Sequence, residues 1–336
     1  MRIVINDNDY QSFTTYTLEL NYSKIASVFS FSGLPETLPN PLSFPNVEIF
    51  RTNEEDGSEE LLLTGEILAH SGTVSSQPHL IPVNGSSSPG ILENADMPLN
   101  KLQFDNLTLK EVTDELLSQY NLEYEVTENV LTEFNKKFIK TTAEPTDTVK
   151  GFLNSLASQR NIILSHTDTG KLLFTRINIE NLTPAYTFTE GESGIIKMSV
   201  NISAQAMHSV IIVSRQASST SPDGAVSVIQ NPYISKFKPK NKILDSGDIF
   251  DIDQAARMEL NAELSNIKIT IETLVFVRPG KLIYVSSPTL KIADYSVFLV
   301  EKCTVNGSVN SETYKLDCVL ADAYSDSSEI INIFDV

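Results

Sequence analysis

The 336-residue sequence contains no tryptophan, only two cysteines and four histidines, and no apolar run near the ~20 residues that a membrane-spanning helix needs. Each scarcity removes a class of function. Without tryptophan, and with aromatics at 8%, the chain has little material for platforms that stack on sugar rings. Cys303 and Cys318 are too few for a disulfide framework and lack metal-site spacing. They fall on what read as the two arms of one hairpin, and two buried thiols are expected in a reducing compartment. His70, His79, His166 and His208 are scattered, so no metal and no cofactor is expected. Basic residues are also in short supply, 25 against 43 acidic ones, for a net charge of −18. Residues 1–96 hold three basic side chains (Arg2, Lys24, Arg51) against thirteen acidic ones. Such a surface repels nucleic acid and anionic lipid, although DNA could pass along it without adhering. Met1 to Asp9 has neither the apolar core nor the small-residue cleavage site of a signal peptide, so a soluble protein first used in a cytoplasm is expected.

No catalytic pattern emerges. The Gly-x-Ser-x-Gly elbow and the Gly-rich phosphate loop with its Lys-Ser/Thr are both missing. A glycosidase needs two carboxyls flanking the scissile bond, but among 43 acidic residues some pair always exists, so their presence carries no information. Glu54-Glu55-Asp56 and Glu59-Glu60 lie in and beside a predicted turn and read as a solvated loop. No residue is nominated as catalytic, and the chain is read as a non-enzyme.

What is present is a helix-then-strand unit written twice between Thr108 and Arg176. Thr108 and Glu111 have capping-box spacing, and Leu109, Val112, Leu116, Leu117 and Tyr120 share one helical face. Asn121 suits a left-handed helix end, and Leu122, Tyr124 and Val126 alternate as a strand. Forty positions on, Val149, Phe152, Leu156 and Ala157 recover the face, Asn161 recovers Asn121, and Ile162 and Leu164 recover the strand. Thr167-Asp168-Thr169-Gly170 then predicts a hairpin turn returning through Leu172 to Arg176.

The flanks read as β. Tyr16, Leu18, Leu20 and Tyr22 alternate, as do Val47 and Ile49, with Leu61, Leu63 and Ile67 following a turn, while residues 71–98 read as a long irregular connection. Val210-Ile211-Ile212-Val213 is apolar enough to be buried on both faces. Residues 216–247 are polar and irregular, followed by a helix marked by Ala255, Ala256, Leu260 and Leu264 and capped by Asp251 or Asp253. Strands are expected again through Ile269, Ile271 and Thr273, then Leu282 and Tyr284, then 297–305 and 314–320. The expected architecture is mostly β with α+β character. A β-barrel domain (1–96), the duplicated α+β domain (97–180) and a second β-barrel domain (181–336) follow one another, the last with an insertion at 216–267 carrying one helix. Within that insertion Lys236, Lys238, Lys240 and Lys242, with Phe237 between them, reverse the local charge and are candidate interface residues. A second candidate is the loop containing Ser218, Ser219 and Asp223.

In this order the pieces resemble the baseplate hub family of contractile-tailed phages, the Mu-like late-control tail proteins. The likeness rests on the opening Tyr10, then Tyr16 through Phe29 to Phe31; on Thr64-Gly65-Glu66-Ile67; on the units 106–126 and 146–176; on the helix 255–264; and on the closing strands 280–285, 298–305 and 314–320. The run 77–90, rich in proline and serine, departs from the family's ladder of strands. The resemblance implies a trimer with two tube-like barrels per chain, joining a sixfold tail tube to a threefold spike around a channel for DNA. The tube protein, the spike protein and other baseplate proteins would be its partners. It further implies a place in the virion tail baseplate after assembly in the host cytoplasm. A tail-associated peptidoglycan hydrolase and a hub of a related particle, a tailocin or type VI secretion system, are the alternatives.

Overall fold

The computed structural model describes residues 1–34, 37–52, 57–72, 80–177, 179, 183–215, 225–244, 252–308, 311–324 and 333–334. Seven strands come first: β1 (Arg2–Ile5), β2 (Asn8–Tyr10), β3 (Phe13–Asn21), β4 (Val28–Gly33), β5 (Asn46–Thr52), β6 (Glu59–His70) and β7 (Ile81–Ser87). The middle of the chain holds α1 (Leu109–Leu117), β8 (Tyr124–Val126), α2 (Leu131–Phe134), α3 (Val149–Gln159), β9 (Ile163–His166) and β10 (Leu172–Thr175). Then follow β11 (Tyr186–Thr189), β12 (Ile195–Asn201), β13 (Val210–Arg215), β14 (Ala225–Gln230), β15 (Pro239–Leu244) and α4 (Ile252–Leu264). The last strands are β16 (Lys268–Thr273), β17 (Leu282–Ser287), β18 (Ile292–Ser308) and β19 (Ser311–Leu320).

The two β regions are joined. Hydrogen bonds run without a break along β12-β16-β19-β18-β3-β4-β7-β6-β5-β1-β2, and β17 and β11 extend the same sheet to 13 strands. The junction is β18, whose 17 residues offer one edge to two partners. Its first half pairs with β17 from Ile292 to Leu299, and its second half pairs with β3 from Lys302 to Ser308. Among the described residues this ladder is open, with β2 and β12 at its ends, and does not close into a barrel. One apolar core follows the sheet across the junction, from Ile3, Leu18 and Val47 to Ile269, Phe298 and Leu316.

Two expectations are corrected by pairing. The described part of 71–98 is not one irregular connection, because β7 lies inside the sheet between β4 and β6 and a 3-10 turn at Ser88–Glu93 follows it. Its Pro82 and Asn84-Gly85 read as loop signals, yet Gly85 is small because a Cβ there would stand 2.2 Å from the Glu66 carbonyl oxygen and 2.2 Å from the Phe29 ring. The polar stretch after residue 216 likewise holds two strands. β14 and β15 flank β13 in a separate three-stranded sheet, with β15 parallel to β13. The helix expected after it is α4, with Asp253 in its first turn, while Asp251 lies outside the described residues.

The middle region repeats its local geometry at the forty-residue spacing. Thr108 forms a full capping box with Glu111, and Thr148 accepts a hydrogen bond from the Gly151 N–H. Asn121 and Asn161 both adopt left-handed backbone, at φ 50° and 52°, a conformation asparagine tolerates better than most residues. The strands combine asymmetrically: β10 is central, parallel to β8 and antiparallel to β9. Leu109, Val112, Leu116, Val149, Phe152, Leu153 and Leu156 from α1 and α3 close over β10's Leu172 and Phe174. This core also takes in Ile25, Ala26 and Leu92 from the preceding β region. No helix among the described residues is long and apolar enough to cross a membrane. Cys303 and Cys318 are free and buried, and β18–β19 register sets them opposite Leu316 and Val300 instead of each other. Burial pushes the Cys303 thiol up to about 12 and raises Cys318 as well, so both remain protonated and inert.

Candidate interaction surfaces

The lysine ladder sits on or just before β15, and the structure divides its members. Lys240 and Lys242 point at α4: Lys240 Nζ lies 2.8 Å from Glu259 Oε2 and 3.4 Å from Glu263 Oε1, and Lys242 Nζ lies 2.6 Å from Glu259 Oε1. The hydrogen bond to Glu259 raises the Lys240 pKa above the ordinary lysine value. Glu263 is almost fully buried and also accepts from the His208 backbone N–H at 2.7 Å while contacting His208 Nδ1 at 2.8 Å. Lys238 Nζ donates to the carbonyls of Ala204 and Gln205. Three of the four lysines therefore hold the small sheet to its own chain. Lys236 and Phe237 remain exposed, Phe237 by 77%. Ser218, Ser219 and Asp223 lie outside the described residues. Among the described residues no group of three or more His, Cys, Asp or Glu is arranged to hold a metal ion.

Two residues that sequence reasoning did not single out fasten the middle region to the sheet. Arg278, in the turn before β17, donates from Nε to Glu60 Oε1 at 2.6 Å, from a terminal nitrogen to the Leu61 carbonyl at 2.7 Å, and from its other nitrogen to Asp168. One guanidinium thus ties β6, the β9–β10 turn and the last β region. Its visible sequence signal was Arg278-Pro279-Gly280-Lys281, which announces a turn and says nothing about partners far away in the chain. His166 works at the neighbouring junction. Its Nδ1 contacts the Lys24 carbonyl at 3.0 Å, so this nitrogen carries the proton, and its Nε2 accepts from Ser27 Oγ at 2.7 Å. Beside it, Ser165 Oγ donates to the Tyr22 carbonyl at 2.6 Å.

Burial lowers the His166 pKa below its ordinary 6.5, outweighing the opposing hydrogen bond to Lys24. A depressed histidine pKa means that the unfolded chain binds the proton more readily, so this contribution is complete above pH 6.5 and is lost as pH falls below it toward the folded value. His166→Ala is expected to cost about 2 kcal/mol at pH 7.5, because it leaves the Ser27 hydroxyl and the Lys24 carbonyl without their partner. Unfolding midpoints measured from pH 7.5 to 5 should fall less steeply for the variant than for the parent.

A cleft of about 770 Å³ opens between this middle region and the sheet, lined by Glu66, Asp114, Asn121, Tyr124, Gly170 and Lys171 among others. Burial raises the Glu66 pKa. Lys171 is engaged by Glu123 and Glu125, at 3.0 and 3.2 Å. The cleft is a polar seam between two packed pieces.

The long sheet with a docked α+β region is the fold of prophage tail proteins. A 43 kDa tail protein of prophage MuSo2 from Shewanella oneidensis superposes with a TM-score of 0.76 at 14% identity, covering 96% of this chain and 99% of that one. A tail protein from Neisseria meningitidis MC58 also gives 0.76, at 17% identity, with 96% and 97% covered. A component of the type VI secretion system of E. coli, described as structurally similar to the T4 bacteriophage tail proteins gp27 and gp5, gives 0.52 at 10% identity, with 97% and 78% covered. No protein-family model matches the sequence, and comparison with curated proteins finds no match.

Proposed function

We propose that the chain is the baseplate hub of a contractile phage tail, a homotrimer joining the sixfold tube to the threefold spike around a channel for DNA. The observation that carries this reading is end-to-end similarity to two prophage tail proteins, with 96% of the chain covered in each case. In this proposal residues 1–96 and 181–336 are the two tube-like units and 97–180 an old duplication set between them. Three chains then present six such units to the tube, and the net charge of −18 keeps a lumen from retaining passing DNA. The hub acts by binding tube, spike and other baseplate proteins and performs no chemistry. It is assembled in the host cytoplasm and works in the virion. Of the ladder, Lys236 and Phe237 are the members available to partners, and the loop 218–225 is retained as a second contact. The likeness to a type VI secretion component supports a related injection particle as the second reading.

The purified chain is expected to run in solution at three times its 37.2 kDa mass, and imaging should show a threefold ring with six similar lobes. A chain that stays monomeric across concentrations, and that shows no threefold arrangement in particles either, sinks the hub reading.

A further inference from the structure

The small sheet β14-β13-β15 buries Ile211, Val213 and Leu244 in the core beside α4, yet its opposite face is apolar too, unlike a sheet with one face in water. Such a sheet places apolar side chains inward and polar ones outward. Here Lys240 and Lys242 point inward to Glu259 and Glu263 of α4, and Ser227 Oγ points inward to Asp253 Oδ1 at 2.6 Å. The alternate positions therefore face away from the helix. Register aligns Val228, Ile212 and Asn241 in one row of that outer face, and Val226, Ser214 and Ile243 in the next. Val226, Val228 and Ile243 are 66%, 57% and 62% exposed, and Val210 and Ile212, read from sequence as buried on both sides, are only half covered. The third row, Gln230, Val210 and Pro239, completes a face with no ionisable side chain.

The geometry points to this face as the contact between copies of the chain, an inference that rests on the trimeric reading above and assigns its interface. Charge favours a copy over an unlike partner. A chain at −18 repels itself wherever its ordinary surface meets its duplicate, and this face can meet a copy without bringing like charges together. Composition points the same way, since contacts between identical subunits are more apolar than contacts between unlike proteins. The face offers roughly half of the ~800 Å² that a stable interface takes from each partner, so a polar rim must supply the rest. In a ring the contact is heterologous, and the β14 side of one copy then meets a different part of the next.

The test compares the full-length parent with Val228→Glu and Val226→Glu by sedimentation across concentration, with Leu42→Glu, at a still more exposed apolar position elsewhere, as the control. Each valine variant should raise the dissociation constant of the oligomer on the order of 100-fold, because an unpaired carboxylate would have to lose its water at the contact. Far-ultraviolet circular dichroism should match the parent, and so should the unfolding midpoint at concentrations low enough that both are single chains, since both valines are in water there. The Leu42→Glu control should associate as the parent does. A parent trimer that both valine variants preserve overturns this assignment and leaves the hub reading standing. A parent that never associates removes the trimer and this interface with it.

Discussion

Gly65→Ala should lower the unfolding midpoint by roughly 5 to 10 °C, corresponding to about 3 kcal/mol, at the upper end of what overpacking alone costs. Gly65 lies in the middle of β6, opposite Val47 of β5 and Ser87 of β7. A Cβ on it would stand 2.0 Å from the Ser86 carbonyl oxygen, 2.7 Å from that carbonyl carbon and 2.8 Å from Ser87 Cα. All three atoms are backbone of the neighbouring strand, so no side chain can rotate away and the two strands must part. Ladder hydrogen bonds around Ser86 and Ser87 are then stretched as well, each contributing about 1 kcal/mol. Gly57→Ala supplies the comparison: its φ of 69° carries strain, but nothing lies within 4 Å of the added carbon. It should cost about 1 kcal/mol. Thermal unfolding of the two variants side by side decides the matter, and equal losses would show that the close approach of β6 and β7 is not what Gly65 serves.

Arg278→Ala should cost about 2 to 4 kcal/mol and loosen the middle region before the sheet unfolds. The substitution removes three charge-assisted hydrogen bonds at once, and the side chain is only 25% exposed, so water replaces them incompletely. Arg278→Lys should recover little, because a single ammonium cannot reach Glu60, the Leu61 carbonyl and Asp168 together. Hydrogen exchange gives the sharper readout. In the variant, amides of the β9–β10 hairpin should exchange faster while those of β18 and β19 stay protected. Uniform acceleration throughout the chain would mean that Arg278 supports global stability without fastening this junction.

Elements whose cause is local were legible in the sequence. The cap at Thr108, the face Leu109-Val112-Leu116, the left-handed asparagines and the Thr167–Gly170 turn depend on neighbours within a few positions, and all four are present. What failed depends on strands far away in sequence. β7 carries Pro82 and Gly85, which read as loop, because the local code cannot reveal that Phe29 and Glu66 crowd the glycine from both sides. The run Val210–Val213 reads as doubly buried because apolar residues are expected to be covered, yet a single helix packs on this sheet and leaves the other face open. The lysine ladder reads as a candidate interface because its counterions arrive later, as Glu259 and Glu263 on α4. Arg278 and His166 were invisible for the same reason, since their partners lie in other regions of the chain.

The shared strand β18 also sets a timetable for synthesis. Thr17 of β3 meets Asn306 across 289 positions of sequence. A ribosome adding about 5 to 20 residues per second needs roughly 15 to 60 s to cover that distance. Throughout that interval the nascent chain carries β3 with one edge unpaired, and such an edge is a template for pairing with the wrong strand. Expression of a chain ending before residue 292 should therefore yield aggregate, because the missing strand is the one that closes the β3 edge. Chaperone occupancy on the ribosome, followed along the message, should fall only after the last hairpin has emerged.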